Sequence, residues 1–294
     1  ALGAATHPPR PWINVLANPR FGCHLSEMGG GHTWAGNSRM HQITRWRNDP
    51  LADPPGEWLL LEDPASGRVW PLARALQGAG ERGVEHGIGF TRMTQRIEGI
   101  DVTLEWCVDA EAALKQCRIR LARSAGGSRA LRLVALVEWT LGDSSRARAS
   151  VATRCTEPRG GGVALLATQL DAAGGFGGAT AWLALRGDDD LNARHEWTCD
   201  RREFHDAQGR LVLPAQLGQS AGLGGDPCAA IGRRIVVERD RPVELCMLLG
   251  HVDDPDDAHA ALAAALAVAP AERLARQREQ WRRLVAPLQV RTPD

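Results

Sequence analysis

The chain has 294 residues, of which 44% are hydrophobic, so it is long enough to bury a sizeable core. Lysine plus arginine and aspartate plus glutamate number 35 each, and this zero net charge disfavours nucleic acid or an acidic membrane as partner. The seven cysteines are scattered without a Cys-x-x-Cys pair, which argues against a disulfide framework or a zinc site and indicates a reducing compartment.

In chain order, residues 1–10 are expected to be a disordered lead, and residues 11–56 are typical of loops with short strands. The segment 58–63 is predicted to be a strand. A turn over 63–67 then joins it to a partner strand that starts at Arg68. This hairpin is the first clear indication of antiparallel β structure.

Alternation of apolar and polar residues continues through the middle of the chain. Across 101–109 every second residue is apolar, so one face of this strand is predicted to be buried. The segment 131–141 is apolar on both faces apart from Arg132 and Glu138, which is typical of a strand inside stacked sheets. Many strands without intervening helices predict a mainly β sandwich. Further strands are predicted at 91–97, 114–124, 163–169, 181–186, 196–199, 233–238 and 243–249.

Two helices are predicted near the end of the chain. Asp254 is the expected N-cap of the first, with Pro255 at the first helical position, and this helix is expected to run to about residue 268. The second is predicted to begin at Pro270 and to end near residue 285. Its apolar stripe is predicted to consist of Leu274, Trp281 and Leu284.

The segment 11–57 contains the groups most suggestive of a binding site. Its run Gly29-Gly30-Gly31 allows backbone angles that other residues avoid and a close approach to a ligand. The aromatic, amide and guanidinium side chains around this run suit a sugar site, where rings stack and hydroxyls need hydrogen-bond partners. A turn-rich cap at one end of a β-domain explains the same composition, so both interpretations stay open.

Short motifs occur in a recognisable order: Pro11-Trp12-Ile13-Asn14, Gly29-Gly30-Gly31-His32-Thr33-Trp34, Thr44-Arg45-Trp46-Arg47-Asn48, His86-Gly87-Ile88-Gly89-Phe90-Thr91-Arg92, Val137-Glu138-Trp139 and Leu248-Leu249-Gly250. Together they resemble the start of a glycoside hydrolase family 94 protein. That family contains cellobiose and chitobiose phosphorylases and the C-terminal part of cyclic β-1,2-glucan synthases. The sequences at 48–50 and 53–57 are more similar to those of the cyclic glucan synthase branch. The chain departs from the family at His32, where a tyrosine is usual.

The resemblance implies a fold and a division of the chain. The fold is expected to be mainly β: a galactose-mutarotase-like β-supersandwich of antiparallel sheets followed by C-terminal linker helices. The expected parts are a lead over 1–10, the β-supersandwich over 11–252 and a helical linker over 253–294 that leads towards an absent (α/α)6 barrel. Because the chain begins with Ala1 and ends within the family's junction before that barrel, we expect it to be a piece of a longer protein.

The resemblance also implies substrate contacts, since the glycine-run segment of the family approaches the sugar at the mouth of the barrel. Trp34 is expected to offer a ring face, and Asn37 and Arg39 to bind hydroxyls. Each of these residues has an alternative role within the domain, such as an ion pair of Glu27 with Arg20. A further arginine of the acceptor site is placed at Arg146 or Arg148. The expected substrate-binding residues are Arg20, Glu27, His32, Trp34, Asn37, Arg39, Arg146 and Arg148.

The chemistry of glycosidic cleavage needs a general acid and a phosphate or water nucleophile, and in the family these sites lie in the barrel. The chain has none of the nucleophile elbow, phosphate-loop or zinc-protease motifs. A solvated turn explains Asp188-Asp189-Asp190 better than a calcium loop. His24, His32 and His41 lack carboxylates or cysteines at ligand spacing, so no metal and no cofactor is predicted. The fragment itself is therefore expected to be inactive.

Three functions remain open from the sequence. The chain is a substrate-shaping domain of a family 94 phosphorylase-like enzyme, an independent β-glucan-binding module, or a structural and dimerisation scaffold for the barrel. The expected partners are a β-glucan oligosaccharide, the chain's own (α/α)6 domain and a second copy in a homodimer, without nucleic acid or membrane contact. The expected location is the cytoplasm, or the cytoplasmic side of the inner membrane as part of a larger membrane protein.

Overall fold

A computed structural model describes residues 11–27, 29, 31–49, 53–73, 82–123, 126–159, 161–173, 175–187 and 195–288. The expected lead at 1–10 and the acidic turn at 188–190 lie outside these residues. The strands are β1 (Ile13–Ala17), β2 (Phe21–Ser26), β3 (Gly31–Ala35), β4 (Gln42–Thr44), β5 (Glu57–Asp63), β6 (Arg68–Leu72), β7 (Arg82–Gly87), β8 (Phe90–Ile97), β9 (Ile100–Val108), β10 (Leu114–Arg123), β11 (Arg129–Gly142), β12 (Val151–Thr156), β13 (Ala164–Gln169), β14 (Thr180–Gly187), β15 (His195–Asp200), β16 (Pro227–Val237) and β17 (Val243–Val252).

These strands form two antiparallel sheets. The first has the order β1-β2-β3-β4-β11-β16-β15, with β5 paired to β11 and to β6. The second has the order β12-β13-β14-β17-β10-β9-β8-β7. Strand β11 runs through the centre of the first sheet, where it pairs with β16 on one side and with β4 and β5 on the other. The prediction of a mainly β fold with antiparallel sheets is confirmed.

The main hydrophobic core lies between the two sheets, and the period-two pattern of the sequence fills it. Val102, Leu104, Trp106 and Val108 of β9 are all buried in this core, as their spacing predicts. Strand β11 is buried on both faces along most of its length. Its alternate residues contribute to the inter-sheet core and to a separate cluster on the outer face.

Two segments cover outer faces of the sandwich. Helix α1 (Ala258–Ala267) contributes Leu262 and Ala265 to a cluster with Trp182 and Leu248 on the second sheet. On the first sheet, Phe204 and Leu217 pack with the outer residues of β5, β11 and β16. The outer face of β1–β3 keeps exposed apolar residues instead: Ile13 is 56% and Val15 is 53% exposed.

Helix α2 (Pro270–Val285) begins at the predicted residue and is fastened by a buried arginine. Arg273, 1% exposed, donates to the Asp109 carboxylate, to the Gln116 side chain and to the carbonyl of Ala265. Of the predicted apolar stripe, Leu274 is buried whereas Leu284 is 62% exposed, so the stripe is not buried along its whole length. The spacing of apolar residues predicts which face of α2 packs against the sheet. It does not predict how much of the length of α2 is covered by that sheet.

Three strands differ from the sequence prediction, and one of them, edge strand β7, was not predicted at all. Strand β12 was not predicted, because it is an edge strand whose Thr and Arg residues leave no clean alternation. Strand β16 begins six residues earlier than predicted, since its first half is rich in alanine and glycine, which have low β propensity. All seven cysteines are free thiols, and six of them are buried. No helix among the described residues is both long and apolar enough to cross a membrane.

Candidate functional site

Four aromatic rings gather on the outer face of β2 and β3 and on the segment just after β4. They belong to His24, His32, Trp34 and Trp46, and we call this set the aromatic patch. The antiparallel register pairs His24 with His32 across the two strands, which places both imidazoles on one face. Val15 of β1 is opposite His24 in the same way, so the exposed apolar face of β1 adjoins the patch.

His32 lies at the centre of the patch. Its ring stacks on Trp46 at 5.5 Å between centroids and an interplanar angle of 15°. The rings of Trp34 and His24 each lie 5.4 Å away in tilted arrangements. His32 itself is buried, whereas Trp46 remains 42% exposed. The patch therefore has a buried centre and an exposed indole at its edge.

A glycine opposite Trp34 lets the indole ring lie flat against the neighbouring strand. Gly22 is the cross-strand partner of Trp34, and a Cβ at this position would lie 2.6 Å from the Trp34 ring. Any other residue at position 22 would push the indole away from the sheet. Trp34 thus covers the β2 backbone and is half-buried, so part of its ring remains on the surface.

The two imidazoles of the patch are neutral near pH 7. Burial, the neighbouring His32 and the Lys115 ammonium lower the pKa of His24 to about 4. Burial also lowers the pKa of His32, although its ring nitrogens lie 3.0 and 3.1 Å from the carbonyl oxygens of Thr44 and Ser38. A neutral surface of flat rings suits an uncharged ligand better than an ionic one.

A polar loop borders the patch. Together with Ile13 and His24, the segment after β4 lines a shallow depression of about 170 Å³. Arg47, Asn48 and Asp53 lie on its rim and offer donors and acceptors around Trp46. An aromatic platform with such a rim matches the stacking and hydroxyl contacts of a sugar ring.

Glu138, from the Val137-Glu138-Trp139 motif, is the centre of an arginine cluster next to this loop. Its carboxylate lies 3.6 Å from the guanidinium groups of Arg45 and Arg148 and 3.7 Å from that of Arg201. Arg148 is buried and also donates to Asp226. The structure therefore places Arg148 inside an ion-pair cluster, while its neighbour Arg146 is exposed.

The remaining candidate residues occupy different positions around the first sheet. Glu27 is buried and accepts a hydrogen bond of 2.5 Å from the Trp12 backbone. Asn37 accepts from the backbone of Arg39 and Met40, which shapes the β3–β4 turn, and Arg39 is exposed on that turn. Arg20 is exposed at the β1–β2 turn, where it donates to the carbonyl of Glu111.

Of the eight candidates, the structure brings only His32 and Trp34 into the aromatic patch. The β3–β4 turn adjoins them, because Ser38 contacts His32 through its carbonyl oxygen. Trp46 and His24 share the patch with them but were not among the candidates, although Trp46 lies within a motif that carried the resemblance. Alternate residues of a strand lie on the same face of the sheet. This period of two was the signal that could have placed His24 on the face that carries His32.

No group of three or more histidines, cysteines or acidic residues close enough to hold a metal occurs among the described residues. The three histidines considered from the sequence are divided between two places. His24 and His32 lie in the patch, whereas His41 stacks on Phe176 at 4.9 Å.

The fold and this surface define a β-supersandwich domain with an open aromatic outer face. The family model "Glycosyl hydrolase 94, supersandwich domain" matches residues 1–267, and the chain belongs to this family. The structure of a bacterial glucoamylase complexed with acarbose superimposes with a TM-score of 0.59, covering 97% of this chain and 40% of the other. At 8% sequence identity this likeness concerns the fold alone.

Two curated relatives agree with the family. The chain is 31% identical over 301 residues to the cyclic beta-(1,2)-glucan synthase NdvB of Rhizobium meliloti (strain 1021), covering 99% of this chain. It is 28% identical over 97 residues, or 31% of its length, to the N,N'-diacetylchitobiose phosphorylase of Vibrio proteolyticus. The chain spans only 10% and 12% of these two proteins, respectively.

Proposed function

We propose that this chain is the carbohydrate-contacting, non-catalytic β-domain of a family 94 enzyme. In this proposal the aromatic patch contacts a β-1,2-glucan chain, and a helical (α/α)6 domain of the same protein performs catalysis. The single observation that carries the proposal is the exposed Trp46 indole, stacked on a neutral His32 and bordered by polar side chains. The likeness to a cyclic glucan synthase over 99% of the chain supports this choice of glucan.

The chemistry of the patch supports a binding role rather than catalysis. The rim carboxylate of Asp53 accepts a hydrogen bond from Ser26, and the Glu27 carboxylate accepts one from the backbone. Both carboxylates are thus engaged in hydrogen bonds within the domain, whereas cleavage needs a carboxyl group free to protonate the glycosidic oxygen. An independent glucan-binding module would use the same patch, and it differs from the main proposal only in needing no helical partner.

The purified chain is expected to produce no glucose 1-phosphate from sophorose or cellobiose with inorganic phosphate. The reason is that in this proposal the helical domain supplies the general acid and the phosphate site, while the arginines around Glu138 are already paired with Glu138 and Asp226. Chromatography of the products after prolonged incubation checks this. Turnover that disappears on a point substitution within the chain would overturn the non-catalytic role.

Substitution Trp46→Ala is expected to weaken binding of β-1,2-gluco-oligosaccharides by about 1–2 kcal/mol, roughly 5- to 30-fold, because a stacking ring is lost. Isothermal titration calorimetry of the chain measures the affinity. The matched control is Trp12→Ala, which removes another exposed tryptophan that makes none of the patch's ring contacts and should leave affinity unchanged.

Trp46 is a cleaner test than Trp34, because Trp34 also covers Gly22 and its loss would disturb the sheet. Equal affinity in the Trp46→Ala variant and the parent chain would favour the scaffold hypothesis. Adding a separately produced helical domain then distinguishes the remaining two: a substrate-shaping domain should restore turnover in that mixture, and an independent module should not.

A further inference from the structure

A second concave region lies at one end of the sandwich, and we call it the end cleft. It is bounded by the β1–β2 turn, the β3–β4 turn, the β13–β14 loop, the end of β17 and helix α1. Its volume of about 790 Å³ lies in the range of small-molecule sites and exceeds that of the depression at the aromatic patch. Of the expected substrate-binding residues only Arg20 lines this cleft, and the aromatic patch is separate from it.

Three stacked rings line the cleft. Phe176 lies between His41, at 4.9 Å and 15°, and His251, at 5.3 Å and 8°. Phe176 and His251 are buried, whereas His41 is half-buried at the open end of the stack. Because Phe176 has a ring on each of its faces, the outer face of the half-buried His41 ring is the part of the stack that is open for a sugar ring to pack against.

Two buried polar atoms of the cleft residues lack hydrogen-bond partners within the described part of the chain. They are Nε2 of His251, which is 6% exposed, and Nε1 of Trp182, which is 1% exposed. The nearest carboxylate to the His251 nitrogen is Asp253, 4.0 Å away and largely exposed at the rim. A buried polar atom without a partner costs about 1–3 kcal/mol, so a ligand that reaches one gains from pairing it.

The charges around the cleft indicate the class of ligand. Five carboxylates line it against three guanidinium groups, so an anionic ligand such as a phosphate is disfavoured. Burial lowers the pKa of His251 to about 4, so this ring adds no positive charge near neutral pH. Acceptors and donors beside one aromatic ring face fit a neutral ligand whose hydroxyls both donate and accept.

The β3–β4 turn connects the two regions. Ser38 of this turn contacts His32 of the aromatic patch, while His41 of the same turn lines the end cleft. We propose that the end cleft is a second subsite for a neutral oligosaccharide, and that one glucan chain crosses this turn to occupy both. The choice of glucan rests on the proposed function, but the cleft, its stack and its unpaired atoms do not.

The test is a titration of the chain with β-1,2-gluco-oligosaccharides of increasing length. Long oligosaccharides should bind at least 10-fold more tightly than short ones, since a second contact on one chain adds to the first. Substitution Ala264→Trp places an indole in the cleft from an exposed position on α1 and should abolish this gain, leaving short oligosaccharides unaffected. Ala263→Trp is the matched control, because Ala263 is an exposed neighbour outside the cleft lining.

The outcomes separate this inference from the proposed function. If Trp46→Ala weakens all lengths and Ala264→Trp changes none, the patch function stands and the cleft subsite is overturned. If only Ala264→Trp removes the gain with length and Trp46→Ala has no effect, the cleft binds oligosaccharide by itself, and both the patch function and the single chain across the turn are overturned. Absence of binding by every oligosaccharide overturns both. Equal thermal stability of the two Ala→Trp variants verifies that the comparison concerns binding.

Discussion

Substitution Lys115→Met is expected to lower the free energy of unfolding by about 3–5 kcal/mol, because it leaves the Glu57 carboxylate buried without its counter-ion. Lys115 is the chain's only lysine, and its Nζ lies 2.5 Å from the carboxylate. The lysine side chain is 2% exposed and that of Glu57 is 8% exposed. Thr33 and Thr44 donate their hydroxyls to the other carboxylate oxygen at 2.5 and 3.1 Å. Urea denaturation at pH 7 measures the loss.

The same pair determines a pH dependence of stability. Burial raises the pKa of Glu57, but Lys115 and the threonine hydroxyls outweigh it and hold the pKa below its ordinary value of 4.5. This contribution is complete above about pH 4.5 and is lost as pH falls through the lower folded-state pKa. Burial lowers the pKa of Lys115, but Glu57 raises it above the ordinary 10.5, so its contribution is lost only at more alkaline pH.

The double variant Glu57→Gln with Lys115→Met distinguishes a broken ion pair from lost packing. The glutamine still accepts from the two threonines, and no charge remains buried, so most of the single-variant loss should be recovered. Arg96→Ala is the matched control, since the Arg96–Asp101 pair is largely exposed and should contribute under 1 kcal/mol. A double variant as unstable as Lys115→Met alone would contradict the charge-based explanation.

Substitution Arg273→Ala is expected to cost about 3 kcal/mol and to loosen α2 from the second sheet. It removes three hydrogen bonds, at 2.7 to 3.0 Å, and leaves the Gln116 side chain, 1% exposed, without its donor. Chemical denaturation gives the free energy, and limited proteolysis reports detachment through cleavage within α2. The expected pattern is earlier cleavage in the helix with the sheets still protected.

The control for this helix is Arg283→Ala. Arg283 forms an exposed pair with Glu279 one turn away, so its loss should leave the free energy of unfolding nearly unchanged. If Arg273→Ala behaves like Arg283→Ala, packing of Leu262 and Leu274 holds the C-terminal helices and the buried arginine does not.

The buried pair also bears on the aromatic patch. Thr33 lies between His32 and Trp34 in β3, with its hydroxyl turned to Glu57 on the inner face of the sheet. The Lys115 ammonium is one of the charges that keep His24 neutral. Residues on opposite faces of the same strand thus link the polar interior to the sugar-contacting surface that we propose.

The local sequence pattern predicted the strands and helices that have a regular apolar alternation or a clear start residue. The alternation across 101–109 indicated β9 and its buried face, and Pro270 indicated where α2 begins. Asp254, the expected N-cap of the first helix, caps a 3-10 turn at Pro255–Asp257 that leads into α1. The family motifs predicted the supersandwich. Edge strand β12 and the alanine-rich start of β16 escaped prediction, because neither a clean alternation nor β propensity distinguishes them from loops.

The sequence by itself determined the fold class and most strand positions, since alternation and turn residues depend only on near neighbours in the chain. Only the tertiary structure decided which candidate residues share a surface. Sheet register brought His24 to His32, and the segment after β4 placed Trp46 on the same ring. The packing of distant segments enclosed Arg148 with Glu138 and Asp226. Such contacts join residues far apart in sequence, and no local period encodes which side chains meet or how much solvent reaches them.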